Sequence, residues 1–159
     1  MVTEEQMLFQ GFPDRDHQSF LAMGKERYFE VDEQVIQEDT LGSSFYIILD
    51  GVVSIWRKHS KLGTLYKGDI VGELVIFRSR PRSATVRAET VAKMLAFERE
   101  DIIAFFKWRD ERLFKIFVIN VIHILAHKLA RTSESIIHLE NQLRSKGEGV
   151  SPWVRSSIS

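Results

Sequence analysis

Phe45-Tyr46-Ile47-Ile48-Leu49-Asp50-Gly51-Val52-Val53-Ser54-Ile55-Trp56 sets two dense runs of aliphatic and aromatic residues on either side of an Asp-Gly pair. Such runs suit a pleated, buried surface, and Asp-Gly between them is a hairpin signal. The expectation is a strand over 45–49 that turns at Asp50-Gly51 and is answered by a strand over 52–56. The same rhythm continues outward. Upstream, Tyr28, Phe29 and Val31 read as one strand and Val35 with Ile36 as another, before a polar turn from Asp39 to Ser44. Downstream, a loop at His59 to Lys61 leads into Leu62-Gly63-Thr64-Leu65-Tyr66, and Lys67-Gly68-Asp69 turns the chain into Ile70-Val71. Ala84 to Ala88 and Val91 to Phe97 bring the set to roughly eight short strands, the pattern of a barrel or double-sheet roll. The fold class is therefore mainly β with flanking helices: a double-stranded β-helix, or jelly-roll, of the cupin-like β-roll kind.

The flanks are helical. Residues 1–12 are a lead-in that Phe9 and Phe12 can anchor. Pro13-Asp14 opens a short helix with Phe20, Leu21 and Met23 on its apolar side, and Gly24 ends it. After the roll, Asp101 to Phe106 is a short helix with an acidic first turn, which suits the helix dipole. From Asp110 to Leu143 there is no Gly or Pro. Val118, Ile122, Leu125, Leu129, Thr132, Ile136, Leu139 and Leu143 alternate spacings of four and three, a heptad seam. A small roll cannot cover so long a seam, so a homodimer through residues 118–143 is expected. The resulting organisation is a β-roll with its N-terminal and hinge helices over 1–109, a coiled-coil dimerisation helix over 110–146, and a mobile tail over 147–159.

Composition narrows the function. The 159 residues carry zero net charge, which argues against a general nucleic-acid binder. With no cysteine there is no disulfide framework and no thiolate chemistry. The acidic start, Met-Val-Thr-Glu-Glu-Gln, lacks the basic and apolar regions of a signal peptide. Nor is there an unbroken run of about 18 apolar residues, so no membrane contact is expected and a cytoplasmic protein is the default.

The chemistry concentrates in Gly72-Glu73-Leu74-Val75-Ile76-Phe77-Arg78-Ser79-Arg80-Pro81-Arg82-Ser83-Ala84-Thr85-Val86. Gly72 marks a place where backbone must come close to something. Glu73 can accept two hydroxyl hydrogen bonds, and Leu74 to Phe77 form an apolar turn that pins the loop. Arg82 beside the small residues Ser83 and Ala84 outlines an anion cradle of one guanidinium fork and free backbone N–H groups. A carboxylate next to such a cradle suits a ligand with both a sugar and a phosphate. Arg78 and Arg80 read as a solvated rim.

These motifs resemble the cyclic-nucleotide-binding domain family, which includes bacterial catabolite activator proteins, protein kinase A regulatory subunits and nucleotide-gated channels. The family pattern of Gly-Glu-Leu, seven mostly variable positions and Arg-(Ser/Ala/Thr)-Ala-Thr is met by Gly72-Glu73-Leu74 and Arg82-Ser83-Ala84-Thr85. Tyr46 to Gly51 and Lys67 to Gly72 match as well. The resemblance implies that Glu73 binds the ribose 2′-hydroxyl, that Arg82 pairs with the cyclic phosphate, and that Ser83 and Ala84 complete the cradle. It implies that Ile55, Leu62, Gly63 and Leu65 line the rest of the pocket, and that Thr132 and Ser133 on the long helix reach the adenine. The ligand implied is cyclic AMP (cAMP), with cyclic GMP (cGMP) the alternative, since a hydroxyl at Ser83 can serve either.

Three departures accompany the match. Asp32-Glu33 and Glu38-Asp39 stand in the two early turns where the family often has glycine, and Ser79 replaces a common cassette glycine. Only about a dozen residues follow the long helix, too few for the helix-turn-helix domain of the catabolite activators, so direct DNA binding is not expected of the chain as given. The function read from the sequence is a non-enzymatic, homodimeric cyclic-nucleotide sensor. It needs no cofactor or metal, and it signals through helix movement to a protein effector or an output domain. A cupin-type metalloenzyme would need His and Glu ligands on the roll strands, where the only histidine is His59. His123 and His127, four apart, could hold zinc, but no third ligand accompanies them.

Overall fold

The computed structural model describes residues 1–146, and the tail expected over 147–159 lies outside them. It divides into two compact units, one over Met1–Val121 and one beginning at Ile122. The first unit holds the roll. Strands β1 (Lys25–Phe29), β3 (Ser44–Asp50), β6 (Ile70–Val71) and β8 (Ala92–Glu98) form one antiparallel sheet in the order β1-β8-β3-β6. Strands β2 (Gln34–Ile36), β4 (Val53–Arg57), β5 (Ser60–Leu65) and β7 (Thr85–Ala88) form the other in the order β2-β7-β4-β5. Their inward side chains make one apolar core that includes Phe29, Ile36, Tyr46, Ile48, Val53, Leu65, Val71, Val86 and Met94.

The eight-stranded roll is as expected, but the Asp50-Gly51 hairpin is not there. β3 pairs with β8 and β6, and β4 with β5 and β7, so both edges of each strand are taken by other partners. The Asp-Gly turn instead carries the chain from one sheet to the other. Gly51 sits at φ +93°, where a Cβ would stand 2.5 Å from the Val91 carbonyl oxygen, so glycine is required. The hairpin is β4–β5. Its turn is Lys58-His59, with Lys58 at φ +55° and Arg57 facing Ser60. Ser60 and Lys61, expected in a loop, are strand residues, while Val31 lies beyond the end of β1.

The lead-in contains a helix that hydrophobic spacing did not reveal, α1 (Glu4–Leu8), held by a Thr3/Gln6 capping box. Helix α2 (Asp14–Met23) starts after Pro13 and stops at Gly24, as expected, and buries Phe20 completely. Helix α3 (Arg99–Lys107) follows β8 directly and buries Ile102, Phe105 and Phe106, whereas Trp108 stays exposed. Phe20 is the hub of an aromatic layer, with ring centroids 5.1–6.3 Å from those of Phe9, Phe12, Phe97, Phe105, Phe106 and Phe117. This layer covers the face of the β3–β8 sheet opposite the core, where Phe45 stacks on Phe97 at 4.9 Å.

Helix α4 (Glu111–Ser145) begins where Asp110 accepts a hydrogen bond from the Arg112 N–H, a side-chain N-cap. An 18-residue window in it reaches a mean hydropathy of 1.6. By length and composition alone it could cross a membrane, contrary to the sequence-based expectation. One such helix is weak grounds for a membrane protein, because a partner-facing seam gives the same composition. Of the seam residues, Ile122, Leu129, Leu139 and Leu143 are exposed, Leu129 at 70%, while Val118, Leu125 and Ile136 are half-buried.

Candidate functional site

The site forms where β6 ends. Gly72 takes φ +80°, open to glycine at little cost, and caps a 3₁₀ turn over Glu73–Ile76. The turn buries Glu73 and Val75 and leaves Leu74 and Phe77 exposed. Val75 is thus the residue that pins the loop, and the Glu73 carboxylate is held inside rather than swinging in water.

Arg82 approaches the same spot from the other end of the cassette. Its backbone is fixed first: the Arg82 N–H donates to the Thr40 carbonyl at 2.9 Å, and the Asp39 N–H donates to the Arg82 carbonyl at 2.9 Å. Leu41 and Pro81 form a β-bridge beside them. The guanidinium then reaches back, with Nη1 donating to the Gly72 carbonyl at 3.2 Å and Nη2 to the Ser44 carbonyl. Two of a guanidinium's five N–H donors are used in this way, and no hydrogen bond of the others is found among the described residues. The niche exists because two glycines border it. A Cβ at Gly42 would stand 2.7 Å from Arg82 Nε, and one at Gly72 would stand 2.8 Å from Arg82 Nη1.

Burial lowers the Arg82 pKa, while Tyr46, Glu98 and Glu73 pull it upward. An arginine remains a cation under any such balance. A positive charge is therefore held in a half-buried cleft near the Glu73 carboxylate. Beyond it, Ser83 is exposed and Ala84 half-buried. Among the described residues, the N–H groups of Ser83 and Ala84 meet no hydrogen-bond acceptor. A cationic fork beside backbone N–H groups is the combination that can hold an anion.

Residues 26–108 match the family model of the cyclic nucleotide-binding domain. The chain belongs to this family. The cyclic nucleotide-binding domain is a ligand-binding regulatory fold, not a catalytic one. Over 85 residues, 54% of this chain and 10% of the relative, the chain is 32% identical to a cGMP-dependent protein kinase of Plasmodium berghei (strain Anka). Over 94 residues, 59% of this chain and 25% of the relative, it is 28% identical to the cAMP-dependent protein kinase type II regulatory subunit of Drosophila melanogaster. The chain thus spans a quarter or less of the length of these relatives. The fold also matches the crystal structure of the Thermus thermophilus catabolite activator protein, at TM-score 0.69 and 24% identity, covering 84% of this chain and 63% of that one.

In this cyclic nucleotide-binding domain, Gly72, Glu73, Arg82, Ser83 and Ala84 come together, and the remaining expected residues have varied settings. Ile55 is half-buried against the core and faces Gly63 across the β4–β5 ladder. Nothing lies within 4 Å of where a Gly63 Cβ would be, so this pair borders open space. Leu62 sits at the β-bulge and is 62% exposed, whereas Leu65 belongs to the core. Thr132 and Ser133 lie in the second unit. Their hydroxyls donate to the carbonyls of Lys128 and Leu129, one turn back, each at 3.1 Å.

Four residues at the site carried no sequence signal for it. Gly42 and Ser44 read as an ordinary polar turn, yet they form the Arg82 niche. Glu98 accepts the Ser43 hydroxyl at 2.6 Å and the Ser44 hydroxyl, joining that niche to the start of α3. Arg57 donates to the Ser83 carbonyl. The early turns that lack glycine adopt the glycine-like conformation regardless, with Asp32 at φ +68° and Asp39 at φ +63°. Aspartate is among the few residues that tolerate this region, through local hydrogen bonds of its short side chain.

Proposed function

We propose that this chain is a non-enzymatic sensor of cyclic AMP, cytoplasmic and homodimeric, whose ligand-linked helix movement is read by a protein effector or an output domain. The observation that carries the reading is the Arg82 guanidinium seated beside Gly72, with donors to spare and the Glu73 carboxylate buried next to it. Such a pair of opposite charges at one cleft matches a ligand whose phosphate is anionic and whose sugar presents a hydroxyl donor. Exposure of the α4 seam supports the dimer, since heptad side chains left in water need a second helix. Cyclic AMP is favoured over cyclic GMP by the resemblance at Thr132-Ser133, whose hydroxyls suit a base edge. Signalling follows if the ligand holds one arrangement of cassette and helix better than another.

Calorimetric titration of the protein with cyclic AMP and with cyclic GMP tests this reading. Tighter binding of cyclic AMP is expected, and a Thr132→Ala variant should lose more affinity for cyclic AMP than for cyclic GMP. Equal losses would reduce Thr132 to a register residue of the seam. Absence of heat with either nucleotide would overturn the proposal.

A further inference from the structure

Arg57 lies on β4, outside the cassette, and no motif marks it. Its Nη1 donates to the Ser83 carbonyl at 3.1 Å and to Asp39 Oδ1 at 3.2 Å, with Glu38 Oε2 at 3.9 Å. One nitrogen therefore joins the strand to both chain segments that flank Arg82. The neighbouring contacts tighten the same joint. The Lys58 N–H meets both Glu38 carboxylate oxygens, at 3.1 and 3.0 Å, and the Glu38 N–H donates to Thr85 Oγ1 at 3.1 Å. Asp39, which Arg57 holds, is also the residue whose N–H binds the Arg82 carbonyl.

The Ser83–Ala84 peptide is trans, as is every peptide among the described residues. In a planar trans peptide the carbonyl and the following N–H point in opposite directions. Fixing the Ser83 carbonyl on Arg57 therefore turns the Ala84 N–H away from β4, and that N–H meets no acceptor among the described residues. A cationic donor on the carbonyl also polarises the amide, so the N–H on its far side becomes a better donor.

We infer that Arg57 is a positioning residue for the phosphate subsite: it aims and polarises the Ala84 N–H without touching the ligand. This rests on the cyclic-nucleotide reading above, and it adds a residue that reading does not contain.

The test uses the full chain, its Arg57→Ala variant, cyclic AMP, and the two diastereomers of cyclic AMP in which sulfur replaces one or the other exocyclic phosphate oxygen. Amide NMR of Ala84 is recorded without nucleotide. Arg57→Ala should shift the Ala84 amide signal. It should weaken cyclic AMP by about tenfold, the size of one hydrogen bond to a charged group, and move the affinity ratio of the two diastereomers. General loosening of the fold would weaken all three nucleotides by one factor and leave that ratio alone. If Arg57→Ala melts early, Arg57→Lys, which keeps the charge and a donor, should restore part of the ratio. An unmoved Ala84 amide, or an unmoved ratio in both variants, overturns the inference. If the unmodified chain binds none of the nucleotides, the sensor reading itself fails, and the ligand-free Ala84 shift still reports separately on the role of Arg57.

Discussion

Gly42→Ala isolates what the Arg82 niche contributes, because the three atoms nearest the added methyl group all belong to the guanidinium. The new Cβ would stand 2.7 Å from Arg82 Nε, 2.9 Å from Nη2 and 3.2 Å from Cζ. Gly42 does not lie in the left-handed region, so alanine fits its backbone. Chain entropy then favours the variant by about 0.4–1 kcal/mol. The guanidinium is the flexible end of its side chain and can yield, but yielding separates it from the Ser44 and Gly72 carbonyls. Two charge-assisted hydrogen bonds are worth about 1.5–3 kcal/mol each, net of water. Losing both outweighs the entropy gain by about 2–5 kcal/mol, so the melting temperature should fall by about 4–20 °C, at about 2–4 °C per kcal/mol for a chain of this size. Binding should suffer as well. Truncating one partner of a desolvated charge pair costs about 2–5 kcal/mol, and a displaced guanidinium should lose much of that. At about 1.4 kcal/mol per tenfold, the dissociation constant should rise about thirty- to several-hundredfold. Calorimetry on Gly42→Ala, Arg82→Ala and the double variant provides the assay. In the Arg82→Ala background, Gly42→Ala should change nothing further. Near-native affinity in the single variant, or an equal further loss in the double variant, would refute the reasoning.

Other predictions use parts further from the cleft. Asn120 is buried on α4 and donates Nδ2 to the Leu8 and Gln10 carbonyls, both at 2.8 Å. Asn120→Ala should cost about 1–3 kcal/mol by stranding those acceptors, and urea denaturation would read it as a lower midpoint with an unchanged slope. Glu98 has its carboxyl pKa lowered first by the Ser43 hydroxyl, then by the Ser44 hydroxyl, with Lys25 and Arg27 adding to them. Because the folded carboxyl gives up its proton more readily than the unfolded one, its contribution is fully present above the ordinary carboxylate range. That contribution is lost as pH falls through the folded value. Glu98→Gln should therefore flatten part of the acid limb of a stability–pH curve and lower stability at neutral pH. An acid limb identical to the unmodified protein's would remove Glu98 from the account. At the seam, Leu129→Lys should turn a light-scattering mass of twice 18.5 kDa into the single-chain value; a monomeric unmodified protein would dispose of the dimer.

The alternation of apolar strands and turn residues made the roll legible, since burial on one face requires it. The spacing of Gly72-Glu73-Leu74 and Arg82 made the cleft legible. What stayed hidden was strand pairing. Asp50-Gly51 announces a reversal of the chain, but which strands meet afterwards depends on the edges left open by β6 and β8, and these come from residues far along the sequence. Lys58-His59 closes the actual hairpin without a turn signature. The supporting shell was hidden for a related reason. Gly42, Ser44, Arg57 and Glu98 act through partners brought near only by folding, and no local pattern records a partner as far as 55 residues away. Helix α1 is too short for a hydrophobic period, so only its Thr3/Gln6 cap could have marked it.

The central claim is that Arg82 holds an anionic ligand at the head of the Gly72–Val86 cassette. Side-by-side calorimetric titration of the unmodified chain and Arg82→Ala with cyclic AMP tests it most directly. The account predicts saturable binding by the former and a dissociation constant about a hundredfold or more higher in the latter. Equal affinities in the two proteins would contradict it.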